Sequence, residues 1–389
     1  MSYSKSIDNG IETINKKIHT LYTKNLEEFT NFIIDNDILS YNNLLNISNS
    51  YNSNKGNNKL NLMYYILSKM SRSYLYELKY KKNSIDIIYN KYFCKLLKHF
   101  NIQKFTDNNI KKFNKKNMVY VSLLSITENL TPACIIFYII ENVDNNFYNL
   151  KLFISLRGTS NITDIINISN VKKKELVLFS TEDLINITKD INILFENKIK
   201  DTNNLLKPKI HGGFLSYFKN IIKVIYTDIT KFILSVSKYN NKKLLNNSAY
   251  ITGHSLGGVL SLLSGIILSI GNINTYVVTF GQPRVGNDDF NKLLYLLLNN
   301  NTYFKKYIRF YNKSDIIISV PTRIYRNGFK HLDDFIDINN LNKLNKYEYY
   351  NIQDDILNDL LLKIDKKYKL KLAHSGYIFK NYNKTYLIY

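Results

Sequence analysis

Apolar positions along the chain follow two regimes that meet near Met118. Before that point they recur at three- and four-residue spacing, as in Ile11, Ile14, Ile18 and Leu21 and again in Leu60, Met63, Tyr64 and Leu67. That spacing lines one face of a helix and predicts a mainly helical segment over residues 1–115. Within it, the Asn/Ser-rich stretch 41–58 reads as a loop. After Met118 the apolar residues gather into short runs. Residues 119–124, 134–140 and 150–156 read as strands, with a turn at 142–146. An amphipathic helix is expected over 213–238, then a strand at 248–252, a helix at 256–270, a strand at 275–280, a helix through 290–298 and a strand at 307–311. Strands alternating with helices across 116–389 imply an α/β domain whose mostly parallel central sheet is covered on both faces. In such sheets functional residues gather at the carboxyl ends of strands. Thr159, Ser255 and the loop after Tyr311 all fall at such ends.

Composition narrows the function classes. The chain has 389 residues, 45% of them hydrophobic, enough for a sizeable core. Its net charge is +22, from 53 Lys+Arg against 31 Asp+Glu. The charge is spread along the chain and carried mostly by Lys, which disfavours bidentate reading of phosphates or bases. Abundant Asn, Lys, Ile and Tyr are what AT-rich codons produce, so the charge reads chiefly as compositional. No nucleic-acid partner is expected. A diffuse attraction to anionic lipid surfaces remains compatible with it. The two cysteines, Cys94 and Cys134, suggest neither a disulfide framework nor a zinc site. Cys134 sits in an apolar run and reads as a buried strand residue. No metal-ligand cluster and no phosphate-binding glycine loop occurs, so no cofactor or metal is expected. The first ten residues lack the apolar region of a signal peptide, and no segment offers about 20 uninterrupted apolar residues. An intracellular site, cytoplasmic or peripheral to membranes, is the expectation. Asn-x-Ser/Thr triplets such as Asn46-Ile47-Ser48 read as chance in so Asn-rich a chain.

One motif carries chemistry. Gly253-His254-Ser255-Leu256-Gly257 is a G-x-S-x-G set between a strand-like run and a helical one. That context is a nucleophile elbow, a serine on a tight strand-to-helix turn whose crowding is relieved by glycines without Cβ. The Oγ of Ser255 would project at a helix N-terminus, where the dipole favours a developing oxyanion. A serine nucleophile needs a base and an orienting acid. After Ser255 the chain offers Asp315, in a polar turn straight after a strand, and then His374. Ser…Asp…His is the chain order of α/β hydrolases.

At these residues the chain resembles the class 3 lipases, the fungal triacylglycerol lipase-like branch of the α/β-hydrolase superfamily. Five motifs occur in that family's order. They are Leu156-Arg157-Gly158-Thr159-Ser160, similar to the oxyanion motif; His211-Gly212-Gly213-Phe214, before the long helix; the elbow; Thr279-Phe280-Gly281-Gln282-Pro283-Arg284-Val285-Gly286-Asn287; and the segment from Asn312 to Pro321 that carries the acid. Together they cover roughly residues 118–389, and residues 1–115 carry no resemblance. The resemblance implies an α/β-hydrolase fold and assigns roles. Ser255 is the nucleophile, His374 its base and then the acid for the leaving alcohol, and Asp315 the orienting carboxylate. Thr159, by its N–H and hydroxyl, and the N–H of Leu256 are the oxyanion donors. His331 is the rival base, close after the acid at a position where the family carries a non-catalytic histidine. His254 and His211 read as structural, and Asp354 and Asp355 as rivals to Asp315 without its strand-end setting.

The chain departs from the family in two places. Where the family carries an acidic support for the oxyanion hydroxyl and a lid Trp, this sequence has Ile168 and Ile165, with Asp164 nearby. Ile162, Ile165 and Ile166 keep the spacing of an amphipathic lid, or of an ordinary surface helix. Residues 170–209 form an insertion without an assigned role. The resemblance implies a lipase-like serine carboxylic ester hydrolase acting on glycerolipids, triacylglycerol or phospholipid, through an acyl-serine, with peripheral contact to lipid surfaces. The alternatives are an inactive lipase-fold protein that binds lipid, and a charge-driven binder of nucleic acid or anionic surfaces.

Overall fold

The structure, a computed structural model, describes residues 26–50, 63–70, 85–111, 118–125, 132–158, 177–178, 208–321, 328–333, 346–351, 377–381 and 384–388. It opens with helices α1 (26–35), α2 (Tyr41–Ser50), α3 (63–70) and α4 (Ile85–His99), then a short strand β1 (Gln103–Lys104) and helix α5 (Asp107–Lys111). Three strands follow, β2 (Val119–Ser125), β3 (Pro132–Asn142) and β4 (Phe147–Leu156). After the short strands β5 (Val177–Leu178) and β6 (Lys209–Ile210) the chain alternates through α6 (Gly212–Asn240), β7 (Lys243–His254), α7 (Leu256–Ile270), β8 (Asn274–Phe280), α8 (Asp288–Asn300), β9 (Phe304–Tyr311) and β10 (Tyr347–Asn351). A hairpin of β11 (Tyr377–Asn381) and β12 (Lys384–Ile388) follows.

The eight-stranded sheet has the order β1-β2-β3-β4-β7-β8-β9-β10. Strands β2, β3 and β4 form an antiparallel meander, and every other neighbouring pair is parallel. The mostly parallel sheet expected from the alternation is therefore present. Both its faces are buried, which is why β3 reads as an unbroken apolar run. Cys134, Ile136, Tyr138 and Ile140 face α6, α7 and α8, whereas Ile135, Phe137 and Ile139 face α1 to α4. Burial of Cys134 pushes its thiol well above the usual range, and the nearby Asp228 carboxylate adds to this.

Helix α6 forms because Phe214, Phe218, Ile221, Ile222, Ile225, Ile229, Phe232 and Val236 repeat at helical spacing and all face the core. His211 caps its start and Asn241, at φ 53°, ends it in the left-handed region. Helix α7 is buried along its whole length. Fully burying each of its Leu, Ile and Val side chains contributes about 1.5–3 kcal/mol. Gly265 lets it lie close on the sheet, since a Cβ there would fall 2.3 Å from Val277 Cγ2.

The helices before residue 100 cover the second face. Every residue of α3 is buried. The helix is tied to the sheet by the Ser155 hydroxyl, which donates to the Leu67 carbonyl, and by Thr252, which donates to the Tyr64 carbonyl at 3.3 Å. The stretch read as a loop, 41–58, is corrected over Tyr41–Ser50, which is helix α2. Its low helix propensity is overridden by a cap and by burial. Ser40 Oγ accepts from the Asn43 N–H at 3.2 Å, and Leu44 is fully buried. Residues 51–58, like His19, lie outside the described residues, and His99 is exposed beside Phe100.

Most expected strands are longer by a few residues, and the residue pattern predicts no strand where β1, β5, β6, β10, β11 and β12 lie. Strands β5 and β6 pair the two sides of the insertion 170–209 antiparallel, Val177 with Ile210 and Leu178 with Lys209. Among the described residues no helix is long and apolar enough to cross a membrane.

The tight seat of α7 sets an expectation. Gly265→Val removes a mid-helix glycine, which alone favours folding by up to about 1 kcal/mol. It also forces extra carbons into Val277, and we expect overpacking to dominate, with a net loss of about 1–3 kcal/mol in urea denaturation. An unchanged or raised midpoint would show that α7 does not sit this close to β8.

Candidate active site

Strand register places the site. Leu156, Gly253, Thr279 and Arg309 pair in line across β4, β7, β8 and β9. The loops leaving β4, β7 and β9 therefore start at one level of the sheet. Neighbouring strands lie about 4.8 Å apart, so β7 and β9 are separated by about 10 Å. That is the span a bridging imidazole must cover between a serine after β7 and a carboxylate after β9.

The elbow is built by backbone crowding. Ser255 lies between the last residue of β7 and the first of α7, at φ 61° and ψ −126°. A non-glycine residue at positive φ is strained, and such strain is held only where the surroundings over-determine it. Here they do. A Cβ on Gly253 would fall 2.2 Å from the Gly257 carbonyl oxygen, and one on Gly257 would fall 2.3 Å from the Leu156 carbonyl oxygen. A Cβ on Gly158 would meet the His254 carbonyl oxygen at 2.5 Å. The Ser255 N–H donates to the Phe280 carbonyl at 2.9 Å, fixing the turn to β8. Ser255 is 2% exposed, and its Oγ makes no hydrogen bond to a described residue. A buried hydroxyl without a partner costs free energy, which a base or a substrate would recover.

The side expected to hold an oxyanion is described only as far as Gly158. Gly158 ends the described part of the β4 loop, and its Cβ position lies 3.4 Å from Ser255 Cβ. Thr159 follows it directly in the chain and lies outside the described residues. Leu256 opens α7, so its N–H is one of the first-turn amides that have no acceptor within the helix.

Asp315 caps a short 3₁₀ turn over Ile316–Ser319, its Oδ1 accepting from the Ile317 N–H at 2.9 Å. The residue is buried, 1% exposed. Asn312, fully buried at the end of β9, shapes the preceding turn. Its Oδ1 accepts from the Ser314 N–H at 2.9 Å, and its carbonyl accepts from the Asp315 N–H at 2.9 Å. Ser255 and Asp315 are thus brought to the same end of the sheet, two strands apart. His374, Asp354 and Asp355 lie outside the described residues, as does the lid segment with Ile162, Asp164, Ile165, Ile166 and Ile168.

The other histidines have structural engagements. His211 Nδ1 accepts from the Gly213 N–H at 3.2 Å, and its ring packs on Phe214 and Phe329. His254 is buried at the end of β7. His331 lies 2.7 Å through Nε2 from the Ile318 carbonyl, so Nε2 carries the proton and donates. Burial lowers its pKa to about 3, and the Arg309 guanidinium works in the same direction. His331 is therefore a neutral imidazole at ordinary pH.

Behind it lies a charge pair that motif reading missed. Arg309 reaches Asp333 through Nε at 3.2 Å and through Nη2, and Tyr347 donates to the same carboxylate at 2.7 Å. Burial would raise the Asp333 pKa, but the Arg309 charge outweighs it and holds the carboxyl below its usual value. The motif at 279–287 also has a physical role. Asn287 Oδ1 accepts from the Phe290 N–H at 3.0 Å to cap α8 and from the Lys209 N–H at 2.8 Å. The Gly286 carbonyl accepts from the Lys330 N–H at 3.2 Å. The motif so ties three separate chain segments together beside the elbow. No signal in the sequence alone marks these long-range partners, which lie 14 to 78 positions apart. Among the described residues no group of His, Cys, Asp and Glu is placed to hold a metal ion.

The family described as Lipase (class 3) matches residues 153–325, from β4 through the acid turn. The secreted mono- and diacylglycerol lipase 2 of Gibberella zeae is 30% identical over 118 residues, 29% of this chain and 27% of that protein. A lipase of Rhizopus niveus is 29% identical over 128 residues, covering 32% of this chain and 29% of its own. The chloroplastic phospholipase A(1) of Arabidopsis thaliana is 31% identical over 124 residues, 31% of this chain and 26% of that one. The chain thus spans less than a third of the length of each of these relatives. The likeness to the class 3 lipases is thus carried by residues 153–325, which hold Ser255, the motif after β8 and the turn of Asp315.

Proposed function

We propose that this protein is a serine carboxylic ester hydrolase acting on glycerolipids. The observation that carries the reading is Ser255, strained at φ 61°, buried and with an Oγ that finds no partner among the described residues, set two strands from a buried Asp315 on the same sheet end. In the mechanism, Ser255 Oγ attacks the ester carbonyl as its proton passes to His374. The carbonyl oxygen becomes an oxyanion held by the N–H groups of Thr159 and Leu256. Asp315 orients the imidazole and stabilises its cation. Collapse of the tetrahedral adduct breaks the C–O bond and returns the proton to the departing alcohol. Water, deprotonated by His374, then cleaves the acyl-Ser255 ester and frees the fatty acid.

Support for glycerolipid substrates comes from the relatives, named as acylglycerol lipases and as a phospholipase A(1). Ile316, 47% exposed directly after Asp315, would set an apolar side chain at the rim of the site, where a lipid surface could meet it. An intracellular location belongs to the same proposal, and the secreted Gibberella zeae relative stands against it.

Fluorophosphonate labelling read by intact mass tests the nucleophile. One adduct is expected on the wild type and none on Ser255→Ala. Asp315→Asn should slow labelling by about 10⁴-fold, and His374→Ala at least as much. A wild type that takes no adduct, with detergent or lipid vesicles present, would favour the inactive lipid binder.

If His331 is a neutral structural imidazole and not the base, stability should carry its signature. A folded-state pKa of about 3 lies below the unfolded value of 6.5. As pH falls below about 6.5 the unfolded chain takes a proton the folded one refuses. Stability is then lost by up to about 1.4 kcal/mol per pH unit, down towards pH 3. Between pH 6.5 and 4 the urea midpoint of the wild type should fall more steeply than that of His331→Gln. Parallel slopes would mean that His331 is protonated in the fold and free for other roles.

A further inference from the structure

We infer that Arg284 is a positioning residue for Asp315, a clamp that fixes the carboxylate by gripping the carbonyls of the turn it caps. The inference rests on the proposed hydrolase reading. Asp315 Oδ1 accepts from the Ile317 N–H inside this turn, so the carboxylate moves with the turn. The turn has few side-chain anchors. Ile317 and Pro321 are buried, but Ile316 and Ser319 are exposed, and Ile318 and Val320 are half-buried. A 3₁₀ turn of four residues has little stability of its own.

What holds it is a run of four consecutive carbonyls, 318 to 321, each taken by a donor from another segment. His331 Nε2 donates to Ile318. The Arg284 backbone N–H donates to Val320 at 2.9 Å. The Arg284 side chain, through Nη1, donates to both Ser319 and Pro321, the latter at 3.1 Å. Arg284 therefore supplies three of these four bonds, two of them through a delocalised charge that no local pH change removes. Arg284 is itself fixed. Gly281 enters the loop after β8 at φ 54° and donates its N–H to the Phe310 carbonyl of neighbouring β9 at 3.0 Å. Past Arg284, Asn287 is tied to Lys209 and α8. The clamp runs from the loop after β8, beside the elbow, to the loop after β9, and so sets the distance between nucleophile and acid.

The test is a double-mutant cycle on the rate of Ser255 acylation by a fluorophosphonate, with urea midpoints measured for every variant. Arg284→Met should slow acylation of the wild type by about 10²-fold, the usual cost of displacing a catalytic group by about 1 Å. Arg284→Lys, whose ammonium can still reach a carbonyl, should lose less. In the Asp315→Asn background Arg284→Met should cost little further, because the carboxylate it aims is already gone. An equal loss in both backgrounds would overturn the role and make Arg284 a general structural residue. So would an Arg284→Met enzyme as fast as wild type. If Arg284→Met does not fold, Arg284→Lys is carried through the same cycle with the same two readings. A wild type that takes no label would overturn the hydrolase reading and this role with it, whereas a labelled wild type with an additive cycle would overturn this role alone.

Discussion

The backbone of the elbow lies against the end of β4 with no room for a side chain between them, and the rest of the site is arranged around that approach. Gly257 sits where its Cβ would fall 2.3 Å from the Leu156 carbonyl oxygen, and Gly158 meets His254 from the other side. With β4 and β7 pressed together at this level, the parallel register carries the alignment on to β8 and β9. The loop that begins at Arg157, the Ser255 elbow and the turn of Asp315 then leave the same end of the sheet. The positive φ of Ser255 is the local cost of this packing, and the buried α7 behind it, tied through its close contact with β8, is what keeps the strain from relaxing.

The helices before residue 100 take part in the same arrangement from the opposite face. Phe153, Tyr250, Val278, Phe280, Ile308 and Phe310 would be an open apolar surface without them. Ser155 and Thr252, two polar residues on the strands that lead to Gly158 and to the elbow, donate their hydroxyls to α3 carbonyls. The sheet that positions the site is thus buried on both sides, which is what a parallel sheet requires.

The acid side is held differently. Asp315 stands on a short turn with half-exposed side chains, and its fixity comes through carbonyls gripped by Arg284 and His331. His331 in turn leans on a buried Arg309–Asp333 pair. Replacing one partner of such a pair leaves an uncompensated buried charge, which destabilises the fold by about 3–5 kcal/mol. A histidine that looks like a candidate base from its place after the acid is in this setting a neutral hydrogen-bond donor to backbone.

Periodicity and local chemistry were enough to find the strands from β2 to β9 that carry the meander and the parallel core, α6, α7 and α8, and the elbow with Ser255, because those features are written within a few consecutive residues. The G-x-S-x-G glycines and the polar turn after β9 pointed to Ser255 and Asp315 before any fold was considered. Helix α2 was hidden by its Asn and Ser content and exists because Leu44 is buried and Ser40 caps it. The short edge strands had too little apolar pattern to register. The roles of Arg284, His331 and Arg309 were also out of reach, since each depends on a partner 13 to 37 positions away whose identity the spacing does not encode. The sequence by itself determined which residues can do chemistry and which segments bury. Only the tertiary structure decided which backbone carbonyls face which donors, because that follows from how loops from different strands meet, and no local propensity specifies such a meeting.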